Sequence, residues 1–378
     1  MPASRTRRWA AASVAASVAG SLGLLAAAAV PAFGAATAAP PDTSTGKPVT
    51  RLAGDNRIGT AIAISQNLFP NGGAGAVVLT AQYDFPDAMS AGPLGKFLDA
   101  PILLTDPGML TPATLTEIER VLPAGPATSG TPVQHNCATP EPVATPQGTT
   151  AQGTTPASAS TVYIIGGPYA IAPGIDAQLE KAGYDVVRIA GTNRFDTSVH
   201  VAQCEGSPPT VLLATGRIFA DALSAGPAAA SVPSGGSVVL TDGPNMPPSV
   251  ASYLGGLTNP TVYAVGAGAA EADPQATALF GGDRFATSVI VAQKFFPTPS
   301  VVGVATGADF PDALAGGGAM GLKGGPVLMS GTDTLPSAAG VYLSDNHATI
   351  GQGFLFGGPG ALSYGIQRDV WSLINNQP

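Results

Sequence analysis

From Thr50 onward the apolar residues fall into two rhythms that alternate along the chain. Short runs such as Val77-Val78-Leu79, Ile102-Leu103-Leu104 and Val211-Leu212-Leu213 show no polar alternation, which predicts strands buried on both faces of a parallel sheet. Between the runs the apolar positions take helical spacing, clearest in Phe195, Val199 and Ala202 and again in Phe285, Val289 and Ala292. This alternation predicts an α/β protein of Rossmann-like layers, with parallel sheets flanked by helices.

The pattern then repeats, and the repeat organises everything else. A strand running into glycine, a polar pair and a helix appears at Arg51 to Arg57, Arg188 to Arg194 and Leu279 to Arg284. A second strand leads to Asp84-Phe85-Pro86-Asp87, to Phe219-Ala220-Asp221 and to Asp309-Phe310-Pro311-Asp312. A third strand and a helix follow, and a fourth strand ends in glycines at Gly166-Gly167, Gly266 with Gly268, and Gly357-Gly358. Spacing from arginine to the last aspartate is 30, 27 and 28 residues, so one folding unit is used three times. The expected division is 48–185, 186–277 and 278–378. Within the first unit 125–160 is dense in Pro, Thr, Ala and Gly without apolar period, which predicts a disordered insertion.

Ahead of the repeats, 1–38 reads as a secretory signal peptide: Arg5, Arg7 and Arg8, an Ala-rich apolar stretch, then small residues. An uncleaved anchor is the alternative, since the stretch is long enough to span a bilayer. No other segment predicts a membrane span, and the expected location is secreted, at the cell wall or cell surface. Without the leader the chain carries 13 basic and 24 acidic residues, a net charge of −11, which argues against nucleic acid as a partner. An exported chain lives in an oxidising compartment, so Cys137 and Cys204 are a candidate disulfide, with two unpaired thiols as the alternative.

The Ala-Gly-x-Asn-Arg start, the Asp-Phe-Pro-Asp-Ala segment and the Pro-Ile-Leu-Leu strand at Pro101 to Leu104 resemble the cell wall-binding repeat type 2 family. That family occurs in tandem triplets on Gram-positive surfaces. The resemblance runs from about Thr50 to the C-terminus. It implies three Rossmann-like or Toprim-like modules in a pseudo-threefold triangle, and non-catalytic, non-covalent binding of an anionic secondary wall polymer or peptidoglycan without a cofactor. A separate effector domain, usual in the family, has no room here, so the expectation is a stand-alone coat, adaptor or modulator with wall hydrolases as further partners. Three weak sites acting together give avidity. Because the Ser237 strand lacks the Pro-Ile lead, repeat 2 is expected to contribute least.

Arg57, Arg194 and Arg284 open helices, where the dipole disfavours a cation, so each needs a carboxylate partner such as Asp87, Asp221 or Asp312, or an anionic ligand. Asn56 and Asn193 stand beside them as further candidate contacts. The three aspartates are expected to cap helices; as pairs with Asp84 and Asp309 they could instead hold a bridging cation, but Ile218 breaks that pattern in repeat 2. Gly166, Gly167, Gly357 and Gly358 could present N–H groups to a phosphate, or serve only as tight turns. Ser90 and Ser224 faintly resemble a nucleophile elbow, but the third copy has Ala315, and His135, His200 and His347 are too scattered to give a base or a zinc site. The competing expectation is an exported enzyme using a Rossmann-like site on a phosphate-containing substrate.

Overall fold

The computed structural model describes residues 43, 46–83, 86–124, 137 and 160–377; the leader and most of the 125–160 insertion lie outside them. The first stretch gives β1 (Val49–Leu52), α1 (Arg57–Leu68), β2 (Val77–Ala81), α2 (Ala91–Leu98), β3 (Ile102–Thr105), α3 (Pro112–Val121), β4 (Thr161–Ile165) and α4 (Pro173–Lys181). The second gives β5 (Asp185–Ile189), α5 (Arg194–Cys204), β6 (Thr210–Thr215), α6 (Ala220–Ala230), β7 (Gly236–Thr241), α7 (Pro248–Gly256), β8 (Thr261–Val265) and α8 (Ala267–Ala272). The third gives β9 (Thr277–Leu279), α9 (Arg284–Phe295), β10 (Val301–Thr306), α10 (Pro311–Lys323), β11 (Val327–Ser330), α11 (Ser337–Asp345), β12 (Gln352–Phe356) and α12 (Tyr364–Ile374).

These strands form three parallel four-stranded sheets, ordered β3-β2-β4-β5, β7-β6-β8-β9 and β1-β12-β10-β11. We call them modules 1, 2 and 3. In each the chain starts on an inner strand, steps to one edge, then crosses to the other side, so a topological switch point lies between the first and third strands used. Buried Val, Ile and Leu fill the inner strands as the apolar runs predict: Val77, Val78 and Leu79 have no exposed surface, nor do Val211, Leu212 and Leu213.

Sequence repeats and sheets are offset by one strand. The strand that opens each repeat is hydrogen-bonded into the preceding module: β5 pairs with β4, and β9 with β8. In the first repeat β1 pairs instead with β12 of the third, Val49 with Gly353 through Leu52 with Phe356. The structure is therefore a closed ring, sealed by a strand about 300 residues from its partner in sequence.

At the centre α2, α6 and α10 pack on one another. Small residues allow this: a Cβ on Gly92 would lie 3.1 Å from the Gly226 Cα, and one on Gly321 would lie 2.9 Å from the Ala230 Cβ. Pro227 lacks the N–H that the Leu223 carbonyl would accept, and that carbonyl faces Gly317 of α10. The linking helices α1, α5 and α9 each pack on the edge strand of their own repeat's sheet, β3, β7 and β11, and reach back to the central helix of the preceding module.

Cys137 and Cys204 are disulfide-bonded, with Cα atoms 4.1 Å apart, which ties the insertion to the end of α5. Ser160 donates to the Pro123 carbonyl at 3.0 Å, so the insertion leaves and rejoins module 1 at neighbouring points. No helix among the described residues is long and apolar enough to cross a membrane.

Candidate functional site at the module junctions

The repeated arginines sit where modules meet. Each is the first residue of a linking helix, and each donates Nη1 to the carbonyl just after the first strand of the sheet ahead: Arg57 to Gln82 (2.8 Å), Arg194 to Gly216 (2.8 Å) and Arg284 to Gly307 (2.6 Å). The side facing back meets the preceding module. Arg57 pairs with Asp309 at 3.1 Å and stands over the Tyr83 ring, and Arg284 stands over Phe219. Phe219 and Phe310 approach each other across modules 2 and 3, with centroids 6.3 Å apart. All three arginines are half-buried, and Arg194 enters no ion pair among the described residues.

The electrostatic partners are therefore not those within one repeat. Asp312 faces Arg57 and Asp221 faces Arg284, so these two aspartates meet the arginine of the following repeat. Asp221 is pushed up to about 6 by burial, which Arg284 only partly offsets. Asp312 is likewise raised by burial and by the Asp309 charge, against the opposing effects of the Thr60 hydroxyl and Arg57. Arg57 supplies a positive charge to the Asp309–Asp312 pair; Asp84 lies outside the described residues.

The capping expectation for the aspartates fails. The cap residues of α6 and α10 are Phe219 and Phe310, with Asp221 and Asp312 in the first turn, and Asp87 precedes a short 3-10 turn without a side-chain cap bond. The carboxylates instead lie against the glycine that ends the fourth strand. A Cβ on Gly266 would come 2.1 Å from Asp221 Oδ2, one on Gly357 2.3 Å from Asp312 Oδ2, and one on Gly166 3.1 Å from Asp87 Oδ2. All three glycines have positive φ, so both the backbone and the neighbour demand glycine. Their N–H groups are also used, bonding to Ile189, Leu279 and Leu52 of the strand from the next repeat, which removes Gly166 and Gly357 as phosphate donors. Gly167 and Gly358 have open space around them.

Asn56 and Asn193 are the helix caps. Asn56 Oδ1 accepts from Gly59, and Asn193 Oδ1 accepts from Phe195 and Asp196; Asp283 does the same in repeat 3. Beside Arg194 a shallow cavity of about 540 Å³ is lined by Asn193, Phe195, Asp196, Asp242, Asn245 and Met246. Ser90 and Ser224 are buried and bond to the carbonyls of Asp87 and Asp221, three residues back. His200 and His347 bond main-chain carbonyls, His135 is outside the described residues, and no metal-binding cluster occurs among the described residues.

Two groups were missed in the sequence. Arg51 donates to the Gly357 carbonyl (2.8 Å), to the Ser363 carbonyl and to Gln367, while Arg188 donates to the Gly166 carbonyl (2.7 Å) and pairs with Asp176. Each holds the glycine turn from the far side. Thr60, Thr197 and Thr287 each accept from a glycine N–H six residues earlier and fix the bend before the helix. The signal for both lay in the repeat itself, although Ala278 replaces the strand arginine in the third copy.

A ring of three α/β modules, with an arginine set against a strand-end carbonyl at each junction, defines a tandem-repeat α/β protein. The chain belongs to the cell wall binding domain 2 family, whose model matches residues 51–176, 188–273 and 278–367. It is 25% identical over 298 residues to the N-acetylmuramoyl-L-alanine amidase LytC of Bacillus subtilis (strain 168), covering 77% of this chain and 52% of that protein. To the amidase enhancer of the same organism it is 26% identical over 329 residues, 85% of this chain and 40% of that one. It thus spans about half or less of the curated relatives it matches. Cwp8 from Clostridium difficile superposes with a TM-score of 0.68 at 22% identity, over 86% of this chain and 52% of that chain; Cwp6 gives 0.67 at 22%, over 87% and 48%. The likeness to these structures confirms the three-module α/β fold, and the family establishes cell wall binding.

Proposed function

We propose that the chain is an exported, non-catalytic binder that holds an anionic secondary polymer of the cell wall through its three junctions, at the cell surface and alongside wall hydrolases. What carries this reading is that the same arginine-centred junction is built three times, whereas an enzyme needs one distinctive site. Arg57, Arg194 and Arg284 are the polymer contacts, each pre-set by a carbonyl on one side and partly open on the other. Asp87, Asp221 and Asp312 position the junctions from behind. Asn56 and Asn193 serve the helices, and the glycines shape the turn. The amidase and the amidase enhancer carry related segments, which supports wall hydrolases as partners.

The test uses native wall sacculi and sacculi stripped of secondary polymer by mild acid. Retention on the native sacculi alone supports the proposal. Equal retention on both moves the target to peptidoglycan, and retention on neither overturns it and favours an enzyme acting on a phosphate-containing substrate.

A further inference from the structure

The acidic balance of the chain makes any place where cations gather without carboxylates informative. One exists, and it lies away from the arginine junctions. The C-terminal ends of α2, α6 and α10, together with the segment joining α9 to β10, border an open cavity of about 460 Å³. Lys96 comes from module 1, Ser231 from module 2 and Lys323 from module 3, with Leu322 and the mostly buried Phe296 also in the lining, whose accessible surface is mainly polar. The chain has five lysines, and two of them line this one cavity. Neither enters an ion pair among the described residues. Lys323 Nζ stands 4.8 Å over the face of Phe354.

Lysines in the last turn of a helix also answer the helix dipole. Three helix ends carry roughly −0.5 each, so two full positive charges leave the cavity only slightly cationic. An anion is therefore held by direct contact with the two ammonium groups and not by a long-range field. The volume falls within the roughly 300–1,000 Å³ of small-molecule sites, and the mainly polar lining, with Ser231, Thr298 and Ser300 beside the two lysines, suits the hydroxyls of a sugar. Lys96 and Lys323 do not occupy equivalent positions in their repeats, so this is a single site per molecule, unlike the threefold arginine junctions.

We propose that the cavity at the C-terminal ends of α2, α6 and α10 binds one phosphate or carboxylate group carried on a sugar, through Lys96 and Lys323. This rests on the wall-polymer reading for its biological ligand but not for its chemistry, and two measurements separate them. Amine-reactive labelling read by mass spectrometry, with inorganic phosphate in one arm and glucuronate in the other, is expected to show Lys96 and Lys323 protected at least threefold while Lys47 and Lys181 are unchanged. Protection by phosphate alone identifies a phosphate-bearing sugar, and by glucuronate alone an acidic sugar; protection by neither overturns the site. The Lys96→Gln/Lys323→Gln double variant, checked for an unchanged melting temperature, is expected to be retained at least tenfold more weakly on native sacculi. Retention equal to the wild type overturns the site's role on the wall. A wild-type protein that shows protection yet ignores sacculi retains the anion site and loses the wall-polymer reading.

Discussion

Ring closure can be tested at Arg51. This side chain lies on β1 and makes three hydrogen bonds, all to residues more than 300 positions later: the carbonyls of Gly357 and Ser363 and the Gln367 amide oxygen. Gln367 on α12 in turn donates to Thr43 and to the Val49 carbonyl, clamping the same strand. Arg51→Ala removes all three bonds. At about 1 kcal/mol net per bond it costs about 2–4 kcal/mol, the upper part arising where carbonyls are left buried without a donor. The loss should appear as a lower urea midpoint followed by circular dichroism, and as faster hydrogen exchange of the Gly353 and Gly357 amides, which bracket β12 and donate to the Pro48 and Leu52 carbonyls, rather than of the β2 amides in module 1. A double-mutant cycle with Gln367→Ala should show coupling of at least about 0.5 kcal/mol. Additive effects, or Gly353 and Gly357 exchange at the wild-type rate in a destabilised variant, would refute closure of module 3 by β1.

Gly357→Ala and Gly266→Ala should each cost about 2–4 kcal/mol, from positive φ and from a Cβ placed 2.3 Å and 2.1 Å from a carboxylate oxygen, whereas Gly358→Ala, with open space around it, should cost under about 0.5 kcal/mol; thermal melts compare the three. Because burial raises Asp221 from 3.8 to about 6, its stabilising contribution is fully present below pH about 4 and is lost as the pH rises through about 6. Asp221→Asn should therefore flatten the fall in melting temperature between those pH values, and an unchanged slope would contradict the assignment. Reducing the Cys137–Cys204 bond frees a loop of 67 residues and should lower stability by about 4 kcal/mol on chain-entropy grounds, read as a lower denaturation midpoint under reductant.

The strands and the threefold repeat were legible because fully buried parallel strands must be apolar throughout. The offset between repeat and sheet was not, since β1, β5 and β9 carry the same pattern whichever sheet receives them; periodicity records which face is buried, not which neighbour accepts the hydrogen bonds. The candidate junction was half legible. Arginine at a helix start signalled an outside partner, but spacing within a repeat pointed to its own aspartate, and the ring geometry turns it to that of the module before. The aspartate–glycine contact did leave a trace. Asp221 and Gly266, like Asp312 and Gly357, are separated by 45 residues, while Asp87 and Gly166 are separated by 79 because the insertion intervenes.

The offset also changes how three-site avidity can be measured. Removing 278–378 as one repeat would cut through β9, the fourth strand of module 2, and leave β1 without β12. Weaker wall retention by such a truncation would report damaged sheets and not a lost site, so single arginine substitutions are the sound comparison. A circular permutant tests the underlying geometry without removing anything. In module 1 the chain passes from α4 to β5 across residues 182–184, and in module 2 from α8 to β9 across 273–276. In module 3 the corresponding ends are separate in sequence yet touch: Lys47 N–H donates to Asn375 Oδ1 at 2.8 Å, and Asn375 Nδ2 donates back to the Lys47 carbonyl. Moving residues 43–55 to follow Gln377 through a short Gly-Ser linker keeps Thr43 with β1 and gives module 3 the connectivity of its sisters. Joining ends already in contact adds little closure entropy, so the permutant should match the parent's urea midpoint and its retention on native sacculi. A permutant that fails to fold would show that β1 is held by something other than its place in the third sheet.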